Sequence, residues 1–296
     1  MDKLDLVILG SIGFDNIKTP FGEAKEILGG SALYSAFAAS FFSPCGIISI
    51  KGNDLNNKEL DFLSKRGISL EGIETRGETF RWTGEYKYDM NQVETLKLEL
   101  NSLAGFNPSI PENYKKARFV FVANADPETQ IKVINSMENP ELIVIDTIHV
   151  WIKTKKEKLI EAIKLSDILI LNEWEARELF ETPNLVKAAK SALQFGLQAV
   201  IIKKGEHGSL LFTKKEVFNC PGYPLENVVD PTGCGDCFGG AFIGHYSKNK
   251  NIRKAMVYAS VIASFNAEGF GLERIKKVGM EDIEKRYQEM KSLQEF

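Results

Sequence analysis

The sequence is short of the residues that build the simplest kinds of site. Its 296 residues include only three histidines (His149, His207, His245) and four cysteines (Cys45, Cys220, Cys234, Cys237). Four cysteines are too few for a disulfide scaffold at this length, so free thiols are expected. The histidines are scattered, which suggests neither a zinc site nor a Ser-His-Asp triad. Charge of one sign is also missing: 37 Lys and Arg stand against 40 Asp and Glu, a formal net charge of −3. Nothing there supports a nucleic-acid partner or a polybasic membrane contact. A small anionic ligand remains possible, because backbone amides and a metal ion can hold one without a cationic surface. No apolar run approaches the roughly 20 residues of a spanning helix. Met1-Asp2-Lys3-Leu4-Asp5 has neither the basic region nor the apolar stretch of a secretory signal, so a cytoplasmic protein with no membrane contact is expected. Internal repeats and low-complexity linkers are absent, as is the Gly-x4-Gly-Lys-Ser/Thr phosphate loop. Gly10-Ser11-Ile12-Gly13 follows an apolar run but lacks the Gly-x-Gly-x-x-Gly spacing of a dinucleotide site.

What is present is ordinary globular material, 44% hydrophobic and 26% charged. Length and composition allow one large α/β domain, or one domain with a small appendage. Short runs apolar on both faces read as buried parallel strands: 6–9, 46–50, 119–122, 142–145, 168–171 and 200–202. Helical stretches alternate with them, over 31–42, 56–66, 128–137, 155–165, 173–180 and 185–195, and helix-rich sequence runs from Gly235 onward. This alternation predicts an α/β sandwich with right-handed crossovers. The stretch Thr79–Leu100 breaks it. There apolar and polar residues alternate on either side of Asp89-Met90-Asn91-Gln92, which predicts a hairpin with one wet face. A second extended piece, 12–27, carries the turn signal Pro20-Phe21-Gly22. Together the two pieces could form a small sheet standing off the main body. From the pattern alone, such a sheet is either a lid or a plain hairpin. Phe80, Trp82, Tyr86 and Tyr88 share one parity and are expected on one face, in core or dimer contact, with Arg81 on the other.

The densest chemical signal is Asp230-Pro231-Thr232-Gly233-Cys234-Gly235-Asp236-Cys237, running into a small-residue helix. Glycines flanking one small residue let backbone amides converge. The helix start then adds unpaired N–H groups and the positive end of its dipole. That arrangement suits a phosphoryl group in transit, and Asp236 at its mouth could accept a hydroxyl proton. The same residues could be no more than a glycine-rich helix start. Cys234 and Cys237 form a Cys-x-x-Cys pair, but late in the chain, on top of this motif and without a second pair at zinc spacing. Redox and zinc readings are therefore set aside.

These residues resemble the carboxy-terminal signature of the ribokinase-like (PfkB) carbohydrate kinase family. The resemblance extends over most of the chain. Gly10 to Asp15 looks like the first strand with its substrate-binding Asp, and Gly29-Gly30-Ser31-Ala32 like the amino-terminal double glycine. Gly52-Asn53-Asp54 resembles the family's Gly-x-Asp. Asn172-Glu173-Trp174-Glu175 looks like Asn-x-x-Glu, and Lys204 to Gly208 like the nucleotide loop. The resemblance implies a single ribokinase-like domain over residues 1–296. That fold is a three-layer α/β/α sandwich with a mostly parallel sheet and a small β lid, here formed by segments at about 12–28 and 79–100. It implies an ATP-dependent kinase that phosphorylates a hydroxyl of a small sugar-like acceptor, with Asp236 as catalytic base. Gly233, Cys234 and Gly235 would form the anion hole. Asp15, Gly29, Gly30, Ser31 and Tyr34 would hold the acceptor. Asn172, Lys203, Gly205, Gly208 and Thr232 would line the nucleotide, Glu175 would organise Mg²⁺ through water, and Asp230 could hold K⁺.

Two positions depart from the family pattern. Tyr34 stands where an Asn usually contacts sugar hydroxyls, and a ring offers a stacking face with one hydroxyl in place of an amide. Cys234 stands where Ala is usual, a change that backbone amides should tolerate. Ser31 and Tyr34 would suit a base-bearing acceptor, so a nucleoside kinase is the alternative. A kinase-like sensor without catalysis is argued against by Asp236 and the Asn172/Glu175 pair. Two copies could pair through the lid.

Overall fold

The computed structural model describes residues 4–293. In chain order its strands are β1 (Leu6–Leu9), β2 (Gly13–Thr19), β3 (Gly22–Gly29), β4 (Cys45–Lys51), β5 (Ile68–Thr75), β6 (Phe80–Tyr86) and β7 (Val93–Glu99). They continue as β8 (Phe119–Val122), β9 (Leu142–Ile145), β10 (Ile168–Asn172), β11 (Ala199–Lys203), β12 (Ser209–Thr213) and β13 (Val217–Cys220). Nine form a large sheet in the order β13-β12-β11-β10-β9-β8-β1-β4-β5. From β11 to β5 every pairing is parallel; β12 and β13 add an antiparallel edge. The fold is a three-layer α/β/α sandwich, with helices on both faces of this sheet.

All six runs that read as buried strands are strands of this sheet. Their apolarity on both faces has a direct cause. On β1, Leu6 and Ile8 pack into one core with Phe37 and Phe242, while Val7 and Leu9 pack into another with Val133 and Leu169. A sheet sandwiched this way has no wet face, so its strands need no alternation. The helices match with shorter ends, and one differs. The stretch 56–66 is a 3₁₀ turn, Asn57–Leu60, followed by a single α turn, Asp61–Ser64. Asn56 and Glu59 cap the first turn reciprocally, and only Leu60 and Leu63 are buried, so a longer amphipathic face has nothing to cover.

The remaining four strands form a separate sheet, β3-β2-β6-β7, with β2 and β6 parallel and the outer pairs antiparallel. Phe80, Trp82 and Tyr86 share a face of β6, and β2 pairs with it so that Asp15 lies opposite Trp82 on that face. Tyr88 does not join them. The strand ends at Tyr86, and Tyr88 lies in the following turn, 98% exposed. Arg81 points the other way, into contacts with Asp54 and Glu26. Among the described residues no helix is long and apolar enough to cross a membrane.

Candidate active site

In parallel α/β sheets, polar groups collect just beyond the carboxyl ends of the strands. Here that edge gathers Asp146 after β9, Asn172 at the end of β10 and Lys203 at the end of β11. Facing it is the start of the helix Cys234–Asn249. That helix is seated by its own small residues. A Cβ on Gly240 would lie 2.0 Å from the Ser35 carbonyl, and one on Gly244 would lie 2.8 Å from that of Ala39. The helix therefore packs backbone to backbone on the fully buried helix Ser31–Ala39. The close contact brings the Gly29-Gly30 turn and Asp236 into one cleft.

At the head of this helix, Gly233 adopts φ +75°, a left-handed conformation natural to glycine. A Cβ there would meet the Tyr34 ring at 2.5 Å. The Cys234 amide is not part of the open nest; it donates back to the Pro231 carbonyl at 3.1 Å. Among the described residues no protein acceptor meets the Gly233, Gly235 or Asp236 amides, so these three carry the anion-hole geometry. The Cys234 thiol turns away, donating to the Ala263 carbonyl at 3.4 Å.

Asp236 lies half-buried below these amides. Burial pushes its carboxyl up to about 7, with Asp146 adding to the rise and Lys203 opposing it. Asp15 is deeper, and burial, then Asp230 and Asp236, push it up to about 8. No protein donor reaches the Asp15 carboxylate among the described residues. It presses instead against the Gly29 backbone, where a Cβ would fall 1.8 Å from its Oδ2. A buried carboxylate without a donor is unsatisfied until a ligand supplies hydroxyl groups. The Tyr34 hydroxyl is likewise buried without a partner, with Asp15 first among the charges around it. Ser31 behaves differently. Its hydroxyl accepts from the Ser11 amide and donates to the Asn124 carbonyl, both at 3.0 Å, so it pins the turn and has little left for an acceptor.

At the edge of the large sheet, Asn172 and Glu175 cap each other: Glu175 N–H donates to Asn172 Oδ1 at 2.9 Å, and Asn172 N–H to Glu175 Oε2 at 2.7 Å. Burial raises the Glu175 carboxyl, opposed by Lys203. The Lys203 ammonium donates to Asp146 Oδ2 at 2.6 Å. Burial alone would push Lys203 down, but Asp146 and Glu175 outweigh it and keep it protonated. Lys203 then leads into the loop Lys204–Gly208, closed by Lys204 N–H on the Gly208 carbonyl at 2.7 Å. Gly208 (φ +81°) packs on the Cys220 carbonyl, leaving no space for a side chain. Thr232 donates its amide to Asp230 Oδ1 at 2.9 Å, and its hydroxyl lies 3.2 Å from that of Tyr86. Asp230 is wholly buried and also accepts weakly from the Gly271 amide at 3.5 Å.

Asp146 has no place in the sequence motifs. Its signal was only an Asp directly after an apolar run, and the partner that gives it meaning is 57 residues further on. Among the described residues no three His, Cys, Asp or Glu side chains converge closely enough to cage a metal. A magnesium ion that keeps its waters and rides on phosphates needs only one or two carboxylates. Burial raises the carboxyls of Asp146, Glu175 and Asp236 against the opposing Lys203 ammonium, and a divalent ion nearby would favour their ionised forms, so that donor set suits such an ion.

Residues 113–276 match the pfkB family carbohydrate kinase description. The chain is 26% identical over 281 residues to a cytidine kinase of Thermococcus kodakarensis, covering 93% of this chain and 96% of that one. Its fold is similar to the crystal structure of a Methanocaldococcus jannaschii nucleoside kinase, an archaeal member of the ribokinase family (TM-score 0.78, 20% identity, 97% and 99% of the chains covered). It is also similar to an E. coli protein described as a ribokinase II, in complex with ATP and Mg²⁺ (TM-score 0.81, 20% identity, 97% and 99% covered).

Proposed function

The chain belongs to the pfkB family of carbohydrate kinases, and from that premise we propose how its cleft performs an ATP-dependent transfer of phosphoryl to a sugar or nucleoside hydroxyl. The acceptor lies between Asp15, the Gly29-Gly30 turn and Tyr34. Its reactive hydroxyl faces Asp236, which takes the proton as the oxygen attacks the γ-phosphorus. The new O–P bond forms as the bond to the β,γ-bridging oxygen breaks, and ADP leaves. The Gly233, Gly235 and Asp236 amides receive the developing negative charge. Thr232, Asn172, Lys203 and the Gly205–Gly208 loop hold the nucleotide. Mg²⁺, held by Glu175 through water, supplies charge neutralisation on the phosphates when bound. The observation that carries this reading is the pairing of a buried, donorless Asp15 with an Asp236 raised to about 7, in one cleft under open amides.

A nucleoside acceptor is favoured over a free sugar by two observations. The cytidine kinase relative aligns over nearly the whole chain, and Phe80 and Trp82 present rings on the same face as Asp15. Two further readings attach to the same region. The buried Asp230, and a partnerless carboxamide oxygen on Asn266, whose amide holds the Thr232 carbonyl, support a monovalent cation such as K⁺ at Asp230, and activity in KCl against tetramethylammonium chloride tests it. The exposed Phe21, Leu96 and Leu98 of the small sheet support its reading as a lid through which two copies pair, which sedimentation tests.

The central test is ADP release from ATP across a panel of nucleosides and pentoses. Asp236→Asn should lower kcat by about a thousandfold, as expected for a lost general base, with nucleotide affinity kept. Near wild-type turnover in that variant would remove Asp236 as the base.

A further inference from the structure

Asp146 and Lys203 form a buried ion pair that no motif assigns. Their side chains are 5% and 16% exposed, and Nζ lies 2.6 Å from Oδ2. A buried pair gains little stability over apolar packing, because two ions must be desolvated. Its place in the fold is informative. The two residues leave β9 and β11, the strands flanking β10, and so bracket Asn172. Asp146 is fixed twice over: its Oδ1 accepts from the Thr147 amide at 2.8 Å, and its main-chain carbonyl accepts from buried Gln130 at 3.0 Å. The ammonium is aimed upward. A Cβ on Gly235 would lie 3.1 Å from Lys203 Nζ, so the charge sits directly beside one of the open amides. An ammonium has three donors, and Asp146 is the hydrogen-bond partner of one.

We propose that Asp146 is a positioning residue for phosphoryl transfer: it clamps the Lys203 ammonium beside the Gly235 amide, where its remaining donors engage the terminal phosphate of the nucleotide. This rests on the kinase reading of the cleft. Asp146 itself touches no substrate. It removes the freedom of a long, flexible side chain and sets the direction in which the cation points.

Two measurements test the proposal on the full-length chain with Mg²⁺. The first is equilibrium binding of β,γ-imido-ATP and of ADP. Wild type should prefer the triphosphate, and both Asp146→Asn and Lys203→Met should reduce that preference about tenfold or more while ADP affinity moves less than threefold. This ratio needs no acceptor, so it reads the proposal even if no panel member is phosphorylated; failure of the kinase reading would appear separately, as wild type releasing no ADP with any acceptor. The second is a double-mutant cycle on kcat. Asp146→Asn/Lys203→Met should be no slower than Lys203→Met alone, because the clamp has nothing left to hold. Asp146→Glu and Lys203→Arg keep the charges, serve if the neutral variants fail to fold, and should restore part of the triphosphate preference. A merely structural pair would lower the melting temperature and weaken both nucleotides equally. That result, or effects that multiply in the double variant, would overturn the proposal.

Discussion

The large sheet and the small sheet solve opposite problems. At the carboxyl edge of the large sheet, Asp146, Glu175, Lys203 and Asp236 are packed close enough to shift one another's ionisation. Every backbone around them is held by a strand end or a helix start. The small sheet buries Phe14 and Ile17 but leaves other apolar side chains outward, with Phe21, Val93, Leu96, Leu98 and the following Leu100 all exposed. It is tied across the cleft by a few polar contacts: Thr19 to the Val229 carbonyl, Tyr86 to Thr232 and Asn91 to Glu206. The difference separates two tasks. Charge stabilisation requires groups already in place, whereas an element that must admit and enclose a substrate has to be held by contacts weak enough to break.

Matched glycine substitutions should show this contrast most strongly. Gly233 (φ +75°) and Gly77 (φ +61°) are both left-handed, so alanine strains both backbones. At Gly233 the new methyl also meets the Tyr34 ring at 2.5 Å, whereas at Gly77, on the approach to β6, nothing lies within 4 Å. Gly233→Ala should lower kcat about a hundred- to thousandfold, the range seen for loss of one oxyanion donor. Gly77→Ala should cost about 1 kcal/mol of stability, with kcat within twofold. Equal losses of turnover in the two variants would show that the amide nest has no special need of its geometry.

The same division explains what the sequence made legible. The six core strands could be read because burial on both faces leaves an unbroken apolar run, as in Leu142–Ile145. β5 escaped because Glu71 and Gly72 interrupt it, and β12 and β13 because an antiparallel edge needs no such run. Asp236 stood out because its chemistry depends on neighbours within a few residues. Asp146 and Asn91 did not, because their partners lie 57 and 115 residues away. The closure of the Cys234 amide on Pro231 was equally hidden. Which of several adjacent N–H groups stays open is set by the left-handed turn at Gly233, which a glycine permits but does not specify.

The two sheets should also respond to pH with opposite signs. Asp236, held at about 7, binds a proton in the folded protein that the unfolded chain, near its ordinary 3.8, has already lost. Folding stability from this group therefore declines as pH rises from about 4 and levels off above about 7. Asp236→Asn should melt higher than wild type at pH 8, by a margin that narrows toward pH 4. Catalysis runs the other way, since a base must be ionised: kcat/KM should fall tenfold per unit below pH 7. Asp54, behind the small sheet, is pushed up by burial, but the Thr79 hydroxyl and amide and the Arg81 guanidinium together outweigh it and hold it at about 2. Its contribution is present above the ordinary carboxylate range and is lost as pH falls toward 2. Asp54→Asn should therefore melt lower than wild type at neutral pH, with the gap closing in acid. The same sign of change for Asp236→Asn and Asp54→Asn at pH 8 would break the contrast.

The smallest effect belongs to the hairpin tip. Asn91 Nδ2 donates to Glu206 Oε2 at 2.6 Å, and its Oδ1 lies where a Cβ on Gly205 would project, 1.9 Å away. The tip of the β6–β7 hairpin thus rests on the Gly205–Gly208 loop, which the proposed function gives to the nucleotide, while Tyr86 and the face bearing Asp15 lie on the side it gives to the acceptor. A solvent-exposed hydrogen bond of this kind is worth about 1 kcal/mol, so Asn91→Ala should raise the KM for ATP roughly fivefold. The choice of substrate affected is the sharper result. If the small sheet served the acceptor alone, only the acceptor's KM would move. A change confined to ATP, with kcat within twofold, would mean that one flexible element reads both substrates, and that closing over the acceptor also seats the nucleotide loop on which Lys203 depends.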